Sequence, residues 1–264
     1  MKKFLALLLV LVMAVSVFAC GKKEEEKPTD PTPVESQEAD TEEENTDEAT
    51  GDVMTYAEYA AAEVDDPVVV ECYVQAHQSW WEDKVTVYAA DQDGAYFIYE
   101  MACTEEDAAK LTAGTKIKVT GFKTEWSGEK EIASGATFEF VEGADTYVAE
   151  AKDLTDKLDA EDLIDYQNQT VAFKGLTVVA SDDKDSAFLY KWDGSGAQGD
   201  DLYFKVALGE KEYTFTVESY LCDKDSDVYK AVEGLKVGDK IDVEGFLYWY
   251  EGAQPHVTNV TVAE

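Results

Sequence analysis

The groups in this chain able to carry proton transfer, nucleophilic attack or metal binding are two histidines, four cysteines and 57 acidic side chains. The histidines, His77 and His256, lie near the two ends of the part with globular composition. No Gly-x-Ser-x-Gly, His-Glu-x-x-His or phosphate-cradling glycine loop accompanies them, so both are expected as surface or rim residues and the chain is read as non-enzymatic. A hydrolase with a site between domains stays open as an alternative, resting on these two imidazoles. Asp223-Lys-Asp-Ser-Asp227 has oxygen donors at alternate positions, but it lacks the glycine at loop position six and carries Gly234 where a bidentate glutamate should stand. It reads as a solvated loop or helix N-cap, and neither a metal nor a cofactor is expected. Apart from Cys20, the cysteines are Cys72, Cys103 and Cys222. Cys72 falls in the alternation Val68, Val70, Cys72, Val74, which points it into a core, and a buried thiol is expected ahead of a Cys72–Cys103 bridge.

The other residues with recognition chemistry are aromatic, and strands must position them. The segment Leu111-Thr-Ala-Gly-Thr-Lys-Ile-Lys-Val-Thr-Gly-Phe122 recurs as Leu235-Lys-Val-Gly-Asp-Lys-Ile-Asp-Val-Glu-Gly-Phe246. The match runs without a gap to Trp126 with Gly128, answered by Tyr250 with Gly252, so two copies of one unit are expected. In each copy a first strand (Val68 to Ala76; Val171 to Ala180, with Cys72 set against Gly175) precedes a hairpin. The first hairpin is Val85 to Ala90 and Ala95 to Ala102, around a turn in which Asp93-Gly94 suits positive φ. Its counterpart spans Phe188 to Val217. A short helix follows (Glu105 to Leu111; Asp227 to Leu235), then two strands (Lys116 to Glu125 with Glu129 to Phe140; Lys240 to Tyr250 with Gln254 to Val262). Leading helices are expected at Tyr56 to Val64 and Ala160 to Tyr166.

Strand, hairpin, helix and two strands is the order of a five-stranded OB-fold. The expected fold is all-β with short helices, as two tandem OB-fold-like Greek-key barrels over residues 52–145 and 146–264. Through Asp91 to Tyr99 and the two Leu-x-x-Gly-x-Lys-Ile-x-Val-x-Gly-Phe segments, Asp52 to Glu264 resembles bacterial extracytoplasmic OB-fold domains of lipoproteins and secreted nucleases. That resemblance implies a binding module, in some members for nucleic acid. OB barrels bind on the face of strands two and three, bordered by the loops after strands one and four. Those places hold His77, Trp80, Trp81, Tyr88, Tyr96, Tyr99 and Trp126 in the first copy, and Trp192, Tyr203, Tyr248, Trp249 and Tyr250 in the second. Adjacent Trp80 and Trp81 cannot enter one core together, so at least one should be exposed or at an interface; packing against a leading helix or the other domain is the alternative to ligand binding.

The N-terminus has a different character. Lys2 and Lys3, an apolar run from Phe4 to Val15 and small residues before Cys20 have the order of a secretion signal, residues 1–19. Val17-Phe-Ala-Cys20 resembles the lipobox, which implies acylation of Cys20, a lipid bilayer as partner and a place on the extracytoplasmic face of the cell membrane. Residues 20–51 are almost wholly polar and acidic and are expected to be a disordered stalk, reaching from roughly 30 Å as a coil to roughly 100 Å stretched. The net charge of -35, with all 22 basic residues lysine, argues against nucleic acid as the partner. Lys110, Lys116, Lys118, Lys123 and Lys130 read as a solvated strand face. The ligand is therefore expected to be an extracellular molecule or protein of unknown identity, with a single-stranded nucleic-acid accessory role kept as an alternative.

Overall fold

The β1 strand, Pro67–His77, buries Val68, Val70, Cys72 and Val74 on one face, as its alternation requires. In the computed structural model, which describes residues 51–263 except Asp183, this strand closes a barrel. β2 (Lys84–Ala90), β3 (Ala95–Ala102), β4 (Lys116–Trp126) and β5 (Glu129–Ile132) follow, and the strand order is β1-β2-β3-β5-β4 with β4 returning to β1. Only β3 and β5 run parallel. The helix α2 (Glu105–Ala108) sits between β3 and β4, started by Thr104, whose side chain accepts the Asp107 N–H. The last expected strand, Glu129 to Phe140, is broken: β5 pairs with the far end of β4, and a separate β6 (Thr137–Phe140) pairs with its near end.

The second barrel repeats the order. β8 (Thr170–Val179), β10 (Leu202–Leu208), β11 (Lys211–Val217), α3 (Asp227–Glu233), β12 (Lys240–Phe246) and β13 (His256–Val262) close as β8-β10-β11-β13-β12-β8, with a two-residue β7 (Lys152–Asp153) beside β8. Both units are five-stranded OB-fold barrels, each around its own apolar core. The short β9 (Phe188–Tyr190) corrects the expected hairpin. It pairs with β10 at Leu202–Phe204, adjoining the β8 partners Lys205–Ala207, so it continues the first strand after an excursion. The true hairpin is β10–β11, turning directly from Leu208 to Lys211. Asp223–Asp227 forms the turn into α3, where Ser226 is the N-cap.

Two glycine readings also change. Cys72 pairs with Ile117, and its counterpart Ile241 pairs with Leu176, so Cys72 answers Leu176. Gly175, at φ +67, is the extra residue of a β-bulge. Gly94 is needed for space and not for positive φ: a Cβ there would lie 2.3 Å from the Tyr56 ring. The turn itself is held by Asp91, whose Oδ1 accepts the Asp93 and Gly94 N–H groups.

The leading helix α1 (Tyr56–Ala61) begins with a Thr55/Glu58 capping box. Its end is capped by Lys123, which is buried, not on a solvated face: its Nζ donates to the carbonyls of Tyr59, Ala60 and Ala62 at 2.9, 2.9 and 2.7 Å. The second leader is a 3-10 helix, Glu161–Tyr166. Cys72, Cys103 and Cys222 are free thiols, the first two buried. Residues 1–50, and with them the signal, Cys20 and nearly all of the stalk, lie outside the described residues.

Candidate functional site

Both barrels lie in one compact unit, and the second sits on the β2–β3 face of the first. The outward side chains of β2 and β3 include Tyr88, Phe97 and Tyr99. Tyr88 and Phe97 are buried with Phe246 of the second barrel in a third apolar cluster, against which Tyr99, Tyr248 and Leu221 pack. Tyr88 stacks on Phe246, centroids 4.4 Å apart at 17°. Its hydroxyl meets His256 Nδ1 at 2.6 Å, and the His256 imidazole stacks on Tyr248 at 4.2 Å. Burial pushes the His256 pKa down to about 3, so the ring is neutral.

Backbone contacts extend this seam. The Ser79 N–H donates to Tyr220 C=O and the Glu251 N–H to Ser127 C=O. Gln167 Nε2 donates to Gly128 C=O while its Oε1 accepts the Lys130 N–H. Buried carboxyls lie within it: Glu129 and Glu131 on β5, whose pKa values burial raises to about 9 and about 7, and Glu218, raised to about 7 by burial and then by Asp201.

The expected aromatic set is therefore divided. Tyr88, Tyr99 and Tyr248 are interface residues, whereas Tyr96 points inward and is buried in the first core. Trp80 is half-buried on the first core, its Nε1 donating to Cys103 C=O at 2.8 Å, and Trp249 packs on the second core while its N–H donates to Glu129 Oε2. His77 is half-buried, with Nδ1 bonded to the Gln78 carbonyl at 2.7 Å. Trp81 (63% exposed), Trp126, Trp192 (52%) and Tyr250 remain at the surface.

Of these, Trp192 adjoins a cleft. On the second barrel the β10–β11 face is open, and a hollow of about 220 Å³ lies over it, lined by Ser181, Leu189, Trp192, Tyr203, Lys205, Thr214 and Gln254. Tyr203 and Lys205 alternate along β10, and Thr214 faces Lys205 from β11. Trp192 and Gln254 come from the loops preceding β10 and β13. Aromatic edges, one ammonium, three hydroxyls and an amide can hold a ring and hydrogen-bond its substituents. The space is below the usual range for an enclosed small-molecule site, so it suits part of an extended ligand. Sequence reading found Trp192 and Tyr203 but missed Ser181, Lys205, Thr214 and Gln254. The available signal was the outward alternation of β10, obscured by assigning β9 to the hairpin.

No family model matches the sequence, and no curated protein matches it. Among solved structures, a HINb domain is similar over 76% of this chain and 98% of its own, at 12% identity and TM-score 0.35. A murine DNA binding protein bound with double-stranded DNA is similar over 75% and 98%, at 14% identity and TM-score 0.34. A Replication Protein A heterotrimer bound to single-stranded DNA is similar over 78% and 51%, at 9% identity and TM-score 0.30.

Proposed function

We propose that this chain is a non-enzymatic, membrane-tethered binding module that takes a ring-bearing extracellular ligand on the open face of the second barrel. The observation that carries the reading is the cleft bordered by Trp192, Tyr203, Lys205, Thr214 and Gln254, at the strand-two and strand-three position that OB barrels use. The first barrel spends its equivalent aromatics on the seam, which leaves one open face. A non-enzymatic role is supported by His256, sealed in the seam and uncharged, and by His77, tied to a backbone carbonyl. Tethering through Cys20 on the extracytoplasmic side rests on the N-terminal sequence alone. The net charge of -35 favours an uncharged glycan or peptide over nucleic acid.

The test is tryptophan fluorescence of the full chain against glycan and oligonucleotide libraries, at low and physiological salt. The expected result is saturable quenching by a glycan, weakened about tenfold or more in Trp192→Ala, as loss of a stacked ring requires, and unchanged in Trp81→Ala. Salt-sensitive oligonucleotide binding through Trp192 would replace the glycan with single-stranded nucleic acid. Binding that survives Trp192→Ala and is lost in Trp81→Ala would overturn the site. Retention of a Cys20→Ala variant in the membrane fraction would overturn the anchor.

A further inference from the structure

The seam buries two oxygen atoms that lack a donor. Glu129 is fully buried; its Oε2 accepts the Trp249 N–H at 2.8 Å, and its Oε1 has no partner among the described residues. The buried Asn168 amide, from the segment entering β8, favours the charged form of the same carboxyl as a donor, but burial outweighs it. Its Nδ2 donates to Lys130 C=O at 3.2 Å, and its Oδ1 is likewise without a donor. Turning the amide over would set its oxygen against the Lys130 carbonyl and so only exchange one unmet acceptor for another. A proton on Glu129 supplies what is missing.

The surroundings are of the kind that retain such a proton. Glu131 shares the strand, Tyr88 and Tyr99 belong to β2 and β3, and Tyr59 comes from α1. Tyr248, neutral His256 and Glu218, with Asp201 behind it, come from the second barrel, and the nearby Lys130 is exposed. A carboxylate at Glu129 would face other acids with no buried cation beside it.

We propose that Glu129 is carried as the neutral acid and latches the second barrel over the β2–β3 face of the first, so that loss of its proton releases that face. Opening would free Tyr88, Phe97 and Tyr99, a second aromatic surface like the one left open on the other barrel. This does not depend on the ligand reading above. Glu131 and Glu218, with pKa values near 7, ionise before Glu129, whose pKa is about 9. Above about pH 8 Glu129 alone should then link opening to pH, and the opening constant should rise with a slope of nearly tenfold per unit that falls off as pH nears 9, as for one proton.

The experiment is quench-flow hydrogen exchange on the full chain, followed at the seam amides of Ser79, Trp249 and Glu251 and corrected for intrinsic base catalysis. The wild type should lose protection about fivefold from pH 8 to 9, where Glu131 and Glu218 are already ionised, and the isosteric Glu129→Gln should be nearly flat there. Equal slopes in both proteins, or a flat wild type, would overturn the proposal. Should Glu129→Gln fail to fold, the wild-type carboxyl carbon shift of Glu129 at pH 7 decides: the protonated position supports the latch and the ionised position refutes it.

Discussion

Tyr88→Phe isolates the polar part of the seam. It keeps the ring stacked on Phe246 at 4.4 Å and its edge contact with Phe97 at 5.1 Å, so no cavity is made, and it removes only the hydroxyl that meets His256 Nδ1. With the imidazole neutral, that nitrogen is orphaned inside a site closed to water, at a cost of about 1–3 kcal/mol. At about 2 kcal/mol the folded-to-unfolded ratio falls roughly thirtyfold. Truncating the same stack with Phe246→Ala should cost more, about 3–5 kcal/mol, because a cavity is added to the lost transfer energy. Urea unfolding at pH 7 measures both. The double variant Tyr88→Phe with His256→Phe removes both partners and keeps two rings, so it should recover most of the loss. A Tyr88→Phe variant within about 0.5 kcal/mol of wild type, or a double variant whose cost is the sum of the singles, would refute the assignment of stability to this hydrogen bond.

Other consequences follow from the same geometry. His256 has a folded pKa of about 3, below its unfolded value of about 6.5. Below pH 6.5 the unfolded chain takes up a proton that the folded chain refuses, so stability should fall as pH drops from about 6.5 toward 3, by up to about 5 kcal/mol. His256→Phe should lose that contribution in a pH series of unfolding curves. Lys123→Met keeps the stem but takes the Nζ donor from the Ala60 and Ala62 carbonyls, while Tyr59 C=O keeps the Ala62 N–H, and thermal unfolding should show a loss of about 1–3 kcal/mol per carbonyl. Gly94→Ala drives a methyl into the Tyr56 ring and should cost about 1–3 kcal/mol in the same assay. Trp81→Ala should stay within about 0.5 kcal/mol of wild type.

The barrels were legible because their signals are local. The Leu-x-x-Gly-x-Lys-Ile-x-Val-x-Gly-Phe repeat marks the fourth strand and the approach to it, alternation at Val68 to Val74 marks the first, and Thr104 and Ser226 mark helix starts, as expected of capping side chains. Errors arose where a local pattern had two realisations. Phe188–Tyr190 reads as a strand in either position, and only its hydrogen bonds to Leu202–Phe204 make it a continuation of β8. Gly94 reads as a turn glycine, and only the Tyr56 ring packed against it gives another reason for its small size.

The sequence by itself determined the repeated barrel unit, the inward set of its first strand and the positions at which an OB barrel would carry ligand-facing aromatics, because period-two alternation and turn chemistry are set by neighbouring residues. It could not determine which outward faces meet water. Tyr88, Glu129 and Glu131 occupy strand positions that polarity and alternation allow to be solvated, whereas Lys123 falls on the inward parity of Ile117 and Val119 and only its charge suggested solvent. They are buried because another part of the chain covers them: α1 over Lys123, and Phe246, Tyr248 and Trp249 over the rest. That choice depends on how two closed barrels fit together, a property of surfaces brought together from distant segments, and it is what leaves the face beside Trp192 open.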